Sequence, residues 1–274
     1  MSSAASVPLT DALPWDEDGD DKSASTILVC DLIETDGRFL LYTVATSPKK
    51  VVLWLGCGSV SSKQIATALK KMGSDAAASL LKRNEYSSRK IPLHIHSLSV
   101  EMAERLLRQD GRTFDGQLYL KEVYNRIKTW IQLRSSEESA LLSCIILDDV
   151  SALATLLGNA LVYCFVASVR ALCRSRNNAR LFMRCSHDAE YLARENSIIP
   201  ASWIGAGGQD HAISSLSSQL VELADYVVDV LPLASGYSRE AHGRLIFTSP
   251  IKKTPLMLNY CLHESSVSAI RLQN

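Results

Sequence analysis

The chain has 274 residues, of which 47% are hydrophobic and 21% are charged, so it can bury a sizeable core and is not globally disordered. Its 29 lysines and arginines balance 29 aspartates and glutamates, which is not typical of a protein that binds nucleic acid on its own. The seven cysteines form no C-x-x-C pair, and the six histidines lack metal-ligand spacing. These patterns argue against disulfides and zinc sites, and they favour a reducing, intracellular location.

The first 25 residues differ in composition from the rest of the chain. They are small, polar and acidic, with Asp16, Glu17 and Asp18 followed closely by Asp20 and Asp21. Such segments bury too little apolar surface to become ordered, so we expect residues 1–25 to form a disordered or loosely docked tail. Residues 26–274 contain no internal repeat and no long linker, and they are predicted to form a single domain.

No signal peptide or membrane span is indicated by the sequence. The N-terminus lacks a basic segment followed by an apolar one. The longest apolar region, Ala152–Leu172, is interrupted by Asn159 and Arg170, which is typical of a buried helix. We therefore expect no contact with a membrane.

A core strand, a polar turn and a helix open the predicted domain. The strand is Thr26–Cys30, and the turn before the helix lies where a G-x-x-x-x-G-K-[ST] phosphate-binding loop would lie. On that template Asp31 and Asp36 replace the two glycines, while Gly37 and Arg38 replace the lysine and the hydroxyl residue. Because Asp31, Glu34 and Asp36 would repel a polyphosphate, the sequence predicts a degenerate loop that does not bind nucleotide.

The next segments alternate between strands and helices. Lys50–Leu55 is predicted to be a strand, and it ends in the incomplete glycine motif Gly56–Ser59, which weakly suggests a dinucleotide or adenosylmethionine loop. Ser61 or Ser62 is expected to cap a helix that extends to Gly73. A basic connection, Lys82–Lys90, precedes the strand Ile91–Leu98, and this connection is either a solvated loop or a contact for RNA phosphates.

The strongest strand signal is the apolar run Leu141–Val150. It is apolar on both alternating faces, which is typical of a parallel strand covered by helices on both sides. Asp148 and Asp149 close the run, at the end of the strand where ligands bind in doubly wound folds. A strand that ends in Asp is the usual Walker B arrangement, but any strand that leaves the core can end in Asp.

The rest of the chain is predicted to complete the sheet. A helix with Tyr119, Val123, Ile127 and Trp130 on one face precedes the run at Leu141. The elements predicted after the run are a long helix Ser151–Cys173, a strand Arg180–Ser186, a helix Ile213–Leu223, an antiparallel pair of strands Asp225–Leu231 and Gly243–Thr248, and an edge strand from Leu256 to Leu262 and beyond.

Three stretches together make the chain resemble the Elongator complex protein 6 family. The first is the strand and turn that end in Thr35–Leu40, where the sequence has the form T-D-G-x-F-L. The second is Ile146–Ser151 with the apolar helix that follows it. The third and most specific is Leu233–Leu245, a serine-glycine-aromatic turn followed by an acidic residue and a glycine. Order and spacing agree over about residues 26–250.

The resemblance implies a RecA-like α/β fold with a mostly parallel sheet flanked by helices, a C-terminal antiparallel hairpin and a degenerate phosphate-binding loop. It implies a non-catalytic subunit of a hetero-hexameric ring made with the fourth and fifth Elongator subunits. That ring binds tRNA and works with a catalytic subcomplex that modifies the wobble uridine (U34). We accordingly expect no catalytic residue, cofactor or metal in this chain, and a cytoplasmic or also nuclear location.

In a ring of RecA-like subunits, the nucleotide-side face of one subunit lies against the next. We therefore expect two groups of residues to contact neighbouring subunits, and replacement of Tyr237 or Arg239 to weaken assembly. The first group surrounds the degenerate loop and comprises Asp31, Glu34, Thr35, Asp36, Gly37, Arg38, Asp148 and Asp149. The second is the C-terminal turn, which comprises Gly236, Tyr237, Ser238, Arg239, Glu240, His242 and Gly243.

Contact with tRNA would require basic side chains in loops at one rim of the ring. Each such side chain can equally be an ordinary solvated surface charge. The candidates are Lys82, Arg83, Arg89, Lys90, Arg174, Arg176 and Arg194.

Three other functions are compatible with parts of the sequence. An active ATPase or nucleotide kinase would need glycines and a lysine in the first loop, which lacks them. An adenosylmethionine-dependent methyltransferase would need an acidic residue at the end of Ile91–Leu98, where only Glu101 lies nearby. A scaffold subunit without RNA contact cannot be told from the tRNA-binding ring subunit by sequence, since rim loops of any soluble protein are charged.

Overall fold

The structure is a computed structural model. It describes residues 6–17, 26–32, 34–47, 50–82, 93–108, 114–135, 142–175, 179–186, 216–233, 236, 238, 240–250 and 254–271.

The described segments form an α/β fold around one mixed sheet of ten strands. The strand order is β1-β10-β9-β8-β7-β2-β6-β5-β3-β4. Neighbours from β7 to β4 are parallel, whereas β7–β8, β8–β9, β9–β10 and β10–β1 are antiparallel. The strands are β1 Ser6–Pro8, β2 Thr26–Asp31, β3 Lys50–Gly56, β4 Leu93–Ser97, β5 Leu142–Asp148, β6 Ala179–Ser186, β7 Tyr226–Leu231, β8 Gly243–Thr248, β9 Leu256–Leu262 and β10 Val267–Arg271. The predicted fold class, a mostly parallel sheet with antiparallel C-terminal strands, is confirmed at this level.

Helices cover both faces of the parallel strands. A 3₁₀ helix and α1 to α4 pack on one face, and α5 to α9 pack on the other, so each face has its own apolar core. The helices are α1 Pro14–Glu17, α2 Arg38–Ala45, α3 Ser62–Lys71, α4 Asp75–Lys82, α5 Leu98–Arg108, α6 Gly116–Ser135, α7 Val150–Leu157, α8 Asn159–Arg174 and α9 Leu216–Leu223, with the 3₁₀ helix at Leu9–Ala12. Among the described helices, none combines the length and the apolar character needed to cross a membrane.

The run Leu142–Asp148 is a buried parallel strand, as its sequence predicted. It pairs in parallel with β3 on one side and β6 on the other, and Ile145, Ile146 and Leu147 are fully buried. Both faces of this strand are covered by helices, so alternate residues point into different cores. The residues on each face must therefore be apolar.

The predicted N-terminal tail is wrong for residues 6–17. Ser6–Pro8 is the edge strand of the sheet and pairs with β10, and the 3₁₀ helix and α1 follow it directly. Trp15 is only 2% exposed, because it packs against rings contributed by Phe182, Tyr226 and Phe247. The acidic residues dominated the composition of this segment, so the apolar residues that anchor it were not recognised from the sequence. Residues 1–5 and 18–25 lie outside the described segments.

Two predicted elements differ from those in the structure. The helix predicted at Ser151–Cys173 is two helices, because Gly158 adopts a φ of +88° and ends α7 before α8 begins. The C-terminal strand β9 was predicted at the edge of the sheet, but it pairs with β8 and with β10, and β1 lies beyond β10.

Ser61 begins α3 with a reciprocal cap. Its Oγ accepts a hydrogen bond from the backbone N–H of Gln64 (3.3 Å), while the Gln64 side chain accepts from the backbone N–H of Ser61 (2.9 Å). We predict that Ser61→Ala lowers the free energy of unfolding by about 1 kcal/mol, measured by urea denaturation. Ser62→Ala is the matched control and should change it by less, since the capping bonds belong to Ser61. Equal effects of both variants would contradict the capping role.

Candidate functional site

The carboxyl ends of three neighbouring parallel strands bring the candidate residues together. Asp31 ends β2, Asp148 ends β5, and β6 lies between these two strands. Arg184 on β6 is 5% exposed and lies between the two carboxylates. The sequence predicted that Asp31 and Asp148 belong to one site, but it did not predict the arginine between them.

Arg184 forms ion pairs with three carboxylates at once. Its Nη1 donates to Asp31 Oδ2 at 2.9 Å, and its Nε donates to Asp148 Oδ1 at 2.6 Å. Its Nη2 lies 3.6 Å from Asp149 Oδ2. Burial lowers the pKa of this guanidinium, but the carboxylates of Asp148 and Asp31 outweigh burial and raise the pKa overall. Arg184 therefore remains a buried cation.

The second carboxylate oxygen of Asp148 accepts a hydrogen bond from Arg38. Its Nε donates to Asp148 Oδ2 at 3.0 Å, and its Nη1 donates to Asp36 Oδ2 at 3.2 Å. The two carboxylate oxygens of Asp148 are thus bonded to two different arginines. We call Asp31, Asp36, Arg38, Asp148, Asp149 and Arg184 the ionic cluster.

Asp31 is held by the backbone of the loop it begins. The N–H of Gly37 donates to Asp31 Oδ2 at 2.9 Å, so this oxygen accepts from both Gly37 and Arg184. The other oxygen, Oδ1, is buried and has no hydrogen-bond partner. Burial raises the pKa of Asp31, and the nearby Arg184 and the Gly37 N–H oppose that shift. The residue that stands in place of the first loop glycine therefore stabilises the protein's own loop.

Asp149 has a structural role at the start of α7. It adopts a left-handed backbone conformation with φ of 68°, and its Oδ1 accepts from the backbone N–H of Ala152 at 3.3 Å. A Cβ at Gly58 would overlap the Asp149 carboxylate. At Gly58, the second glycine of the Gly56–Ser59 motif, any side chain would therefore force Asp149 to move.

The loop that was predicted to be degenerate is only partly exposed in its described residues. Glu34 and Asp36 lie at the surface, while Thr35 and Gly37 are buried with Asp31. The Thr35 hydroxyl accepts from the N–H of Leu32 (3.0 Å) and donates to the carbonyl of Val230 (2.8 Å), which ties the loop to β7. Of the residues predicted for a subunit contact in this loop, Glu34 and Asp36 present the most surface.

The C-terminal turn lies beside the same end of the sheet. Gly243 begins β8 opposite Tyr260, and the ring of Tyr260 packs against Phe39 of α2 with ring centroids 4.6 Å apart. Burial and the neighbouring Asp36 carboxylate raise the pKa of Tyr260. Tyr260 therefore lies next to Gly243 of the turn and Phe39 of α2, within electrostatic range of Asp36.

The turn residues that the structure describes differ in exposure. Gly236, Glu240 and His242 are exposed, Ser238 is partly buried, and the backbone N–H of Leu262 donates to His242 Nδ1 at 2.9 Å. Tyr237 and Arg239, also predicted for this contact, lie outside the described residues.

Gly243 admits no side chain. A Cβ at this position would lie 2.6 Å from the carbonyl oxygen of Leu231 and 2.6 Å from the ring of Tyr260. We predict that Gly243→Ala lowers the free energy of unfolding by about 3 kcal/mol, because backbone and ring must both move. Gly236→Ala is the comparison: it meets open space at φ of +81° and should cost about 1 kcal/mol. Chemical denaturation of both variants tests this order, which the reverse result would contradict.

Most of the basic residues predicted to contact RNA lie beyond the described segments. These are Arg83, Arg89, Lys90, Arg176 and Arg194. Lys82 ends α4, but its side chain is not among those described. Arg174 ends α8 and pairs with Asp225 Oδ1, and Asp225 Oδ2 also accepts from the backbone N–H of Thr26 at 2.8 Å. Arg174 therefore has an intramolecular partner.

Arg184 was not predicted as a site residue, although its place in the sequence gave a signal for it. Arg184 lies between Met183 and Cys185 in Arg180–Ser186, which was predicted to be a strand of the sheet. A charge in a strand that is covered on both faces needs a buried partner of opposite charge. The carboxylates at the ends of neighbouring parallel strands were the available partners.

No group of three or more histidine, cysteine or acidic side chains within the described ranges is arranged to hold a metal ion.

No protein-family model and no curated protein matches the sequence.

Proposed function

We propose that this chain is a non-catalytic RecA-like subunit of a protein ring, in which a former nucleotide site has become an internal ionic cluster. Following the sequence resemblance, we propose that the ring is the hetero-hexamer of the Elongator complex, formed with its fourth and fifth subunits. The ring would bind tRNA and support the wobble-uridine modification carried out by the catalytic subcomplex. The observation that carries the proposal is Arg184 between Asp31 and Asp148.

Arg184 and Arg38 are hydrogen-bonded to the carboxylate oxygens that a nucleotide site would need for Mg²⁺. A Walker B aspartate orients Mg²⁺ through a free carboxylate oxygen. Here both oxygens of Asp148 accept from arginines, so Mg²⁺ would have to displace at least one buried or half-buried guanidinium. Exchanging one arginine for Mg²⁺ would place the metal ion next to the remaining arginine. The two cations would repel each other, so the exchange is unfavourable.

The net charge of the cluster also opposes a polyphosphate. Four carboxylates face two guanidinium groups, which gives the cluster a formal charge of −2. Phosphate-binding loops instead present backbone N–H groups and a lysine to the ligand. The N–H of Gly37, which could have served that purpose, donates to Asp31. The site is therefore built for internal stability rather than for ATP.

We propose that the exposed residues at the carboxyl end of the parallel strands contact a neighbouring subunit. Glu34 and Asp36 of the loop and Glu240 and His242 of the turn lie at the surface. Tyr260 is within electrostatic range of Asp36, and its carbonyl oxygen accepts from the N–H of His242. A neighbouring subunit that presents basic side chains would fit this acidic edge. The tRNA part of the proposal rests on the sequence resemblance and on the basic residues named above.

The test is co-expression of the chain with Elongator subunits four and five, followed by native mass spectrometry and equilibrium titration with Mg²⁺–ATP. We expect a hexamer that contains this chain, and no ATP bound by the chain alone at millimolar nucleotide. Rings in which the candidate RNA-contacting lysines and arginines are replaced by neutral residues should also lose salt-dependent tRNA binding. A monomer that binds Mg²⁺–ATP would replace the proposal with the active ATPase interpretation.

A further inference from the structure

Two histidines of the strand β4 face the helix α6. Among the described strands, β4 pairs only with β3 and lies at one end of the sheet. His94 and His96 share one face of β4, since Ile95 between them belongs to the core on the opposite face. Both histidines are half-buried. On their face, Trp130 of α6 packs edge-on against the ring of His94, with ring centroids 6.2 Å apart.

The contact between Arg134 and His94 requires an unprotonated imidazole nitrogen. The Nη2 of Arg134, one turn after Trp130 on α6, lies 3.2 Å from the Nε2 of His94. A guanidinium has only donors, so the Nε2 of His94 accepts this hydrogen bond and carries no proton. Protonation of that nitrogen would remove the hydrogen bond and place two positive charges in contact.

His96 lies beside a second arginine of the same helix. His96 and Arg126 both line a cavity of about 90 Å³ between β3, β4 and α6, and the other residues of its lining carry no charge. Burial and the Arg126 guanidinium lower the pKa of His96, and Glu101 of α5 opposes this shift. Both carboxylate oxygens of Glu101 accept hydrogen bonds from Arg126, at 2.9 and 2.8 Å. His96 therefore faces an ion pair whose cation has the stronger influence.

We propose that His94 and His96 make the packing of α6 on the sheet sensitive to pH. As the pH falls from about 7 to about 5, each imidazole gains a proton and places a positive charge beside an arginine of α6. The helix then loosens over residues 126–134, and the cavity admits the water that a charged His96 requires. The charged groups that the described segments bring to the two histidines are Arg126, Arg134 and Glu101.

The direction of the effect at His96 follows from linkage between protonation and folding. The pKa of His96 is lower in the folded chain than the value of about 6.5 for an unfolded chain, so the folded chain binds fewer protons. The stability that neutral His96 provides is therefore complete above about pH 6.5, and it is lost as the pH falls through the pKa of the folded chain. Protonation of His94 adds to this loss, since it removes the hydrogen bond from Arg134.

Amide hydrogen exchange of the full chain tests the proposal. Protection is measured by mass spectrometry at about pH 7.5 and about pH 5, with the intrinsic exchange rates divided out. The variants are His94→Gln, His96→Gln and the double variant, because glutamine does not titrate and still offers an oxygen to Arg134. His263→Gln is the control, since His263 is exposed and lies between β9 and β10, far from β4 in the strand order. The central strand β5 is the internal reference for unfolding of the whole chain.

We expect protection of residues 126–134 in the wild type to fall at least about tenfold on acidification, while protection of β5 changes less than about twofold. Each single glutamine variant should reduce this fall, and the double variant should remove most of it. His263→Gln should behave like the wild type. Arg126→Met is an independent variant: it removes the cation and leaves the Glu101 carboxylate near His96, so the fall should be smaller although both histidines remain.

Three results would overturn the inference. The first is an unchanged protection of residues 126–134 in the wild type, and the second is an equal fall in the double histidine variant. The third is a joint loss of protection in α6 and β5 of the wild type, because acid would then unfold the whole chain rather than this contact. If the double variant does not fold, a wild-type fall in Arg126→Met would overturn the inference instead. The test needs no partner subunit, so its result is independent of the proposed function.

Discussion

Replacing Arg184 by methionine should lower the free energy of unfolding by about 3–5 kcal/mol, because it leaves the buried carboxylates of Asp31 and Asp148 without their shared cation. Domains are stable by only about 5–15 kcal/mol, so a loss of this size removes a large fraction of the total stability. Urea denaturation followed by circular dichroism measures the change.

A compensating variant keeps this prediction informative if Arg184→Met does not fold. Adding Asp31→Asn and Asp148→Asn removes the two buried carboxylate charges that had lost Arg184, and the amide introduced by the second change would still offer an oxygen to Arg38. We expect the triple variant to recover most of the lost stability, as is seen when buried ion pairs are replaced as a unit. Arg108→Met is the control on an exposed helix and should have almost no effect. A change below about 1 kcal/mol for Arg184→Met would show that the cluster is not what holds these strand ends together.

Replacing Trp15 by alanine should lower the free energy of unfolding by about 3–5 kcal/mol, as expected for a large buried aromatic side chain. Trp15 packs against Phe182 and Phe247, with ring centroids 6.1 Å and 5.7 Å apart, so its loss opens a cavity over β6 and β8. Urea denaturation of the full chain measures this change.

Trp15→Phe is the matched control. The indole N–H of Trp15 is buried without a hydrogen-bond partner, so phenylalanine removes an unsatisfied donor and should cost about 1 kcal/mol or less. Deleting residues 1–17 should expose the same aromatic rings and reduce the soluble yield. Wild-type stability of the deleted chain would restore the tail interpretation that the composition suggested.

Individual elements of the fold were predictable where one local pattern dominated. Leu142–Asp148 is apolar at every position up to its aspartate apart from Ser143, so it could only be a strand covered on both sides. The pair β7 and β8 was predictable because two alternating strands flank one turn. Ser6–Glu17 was not, because its order comes from Trp15 packing on strands more than 150 residues away along the chain.

The sequence by itself determined that the first loop lacks the residues of a G-x-x-x-x-G-K-[ST] phosphate-binding loop. Asp31, Asp36 and Gly37 occupy positions where glycines and a lysine are required, and no tertiary contact can change those side chains. It also determined that Asp148 closes a core strand, since the polar residue directly follows an apolar run.

Only the tertiary structure decided what the carboxylates do. Asp31, Asp148 and Arg184 are separated by 36 residues or more, and they meet because β2, β6 and β5 are adjacent parallel strands whose ends share one edge. Strand order depends on how all the helices and strands pack, and no local pattern encodes it.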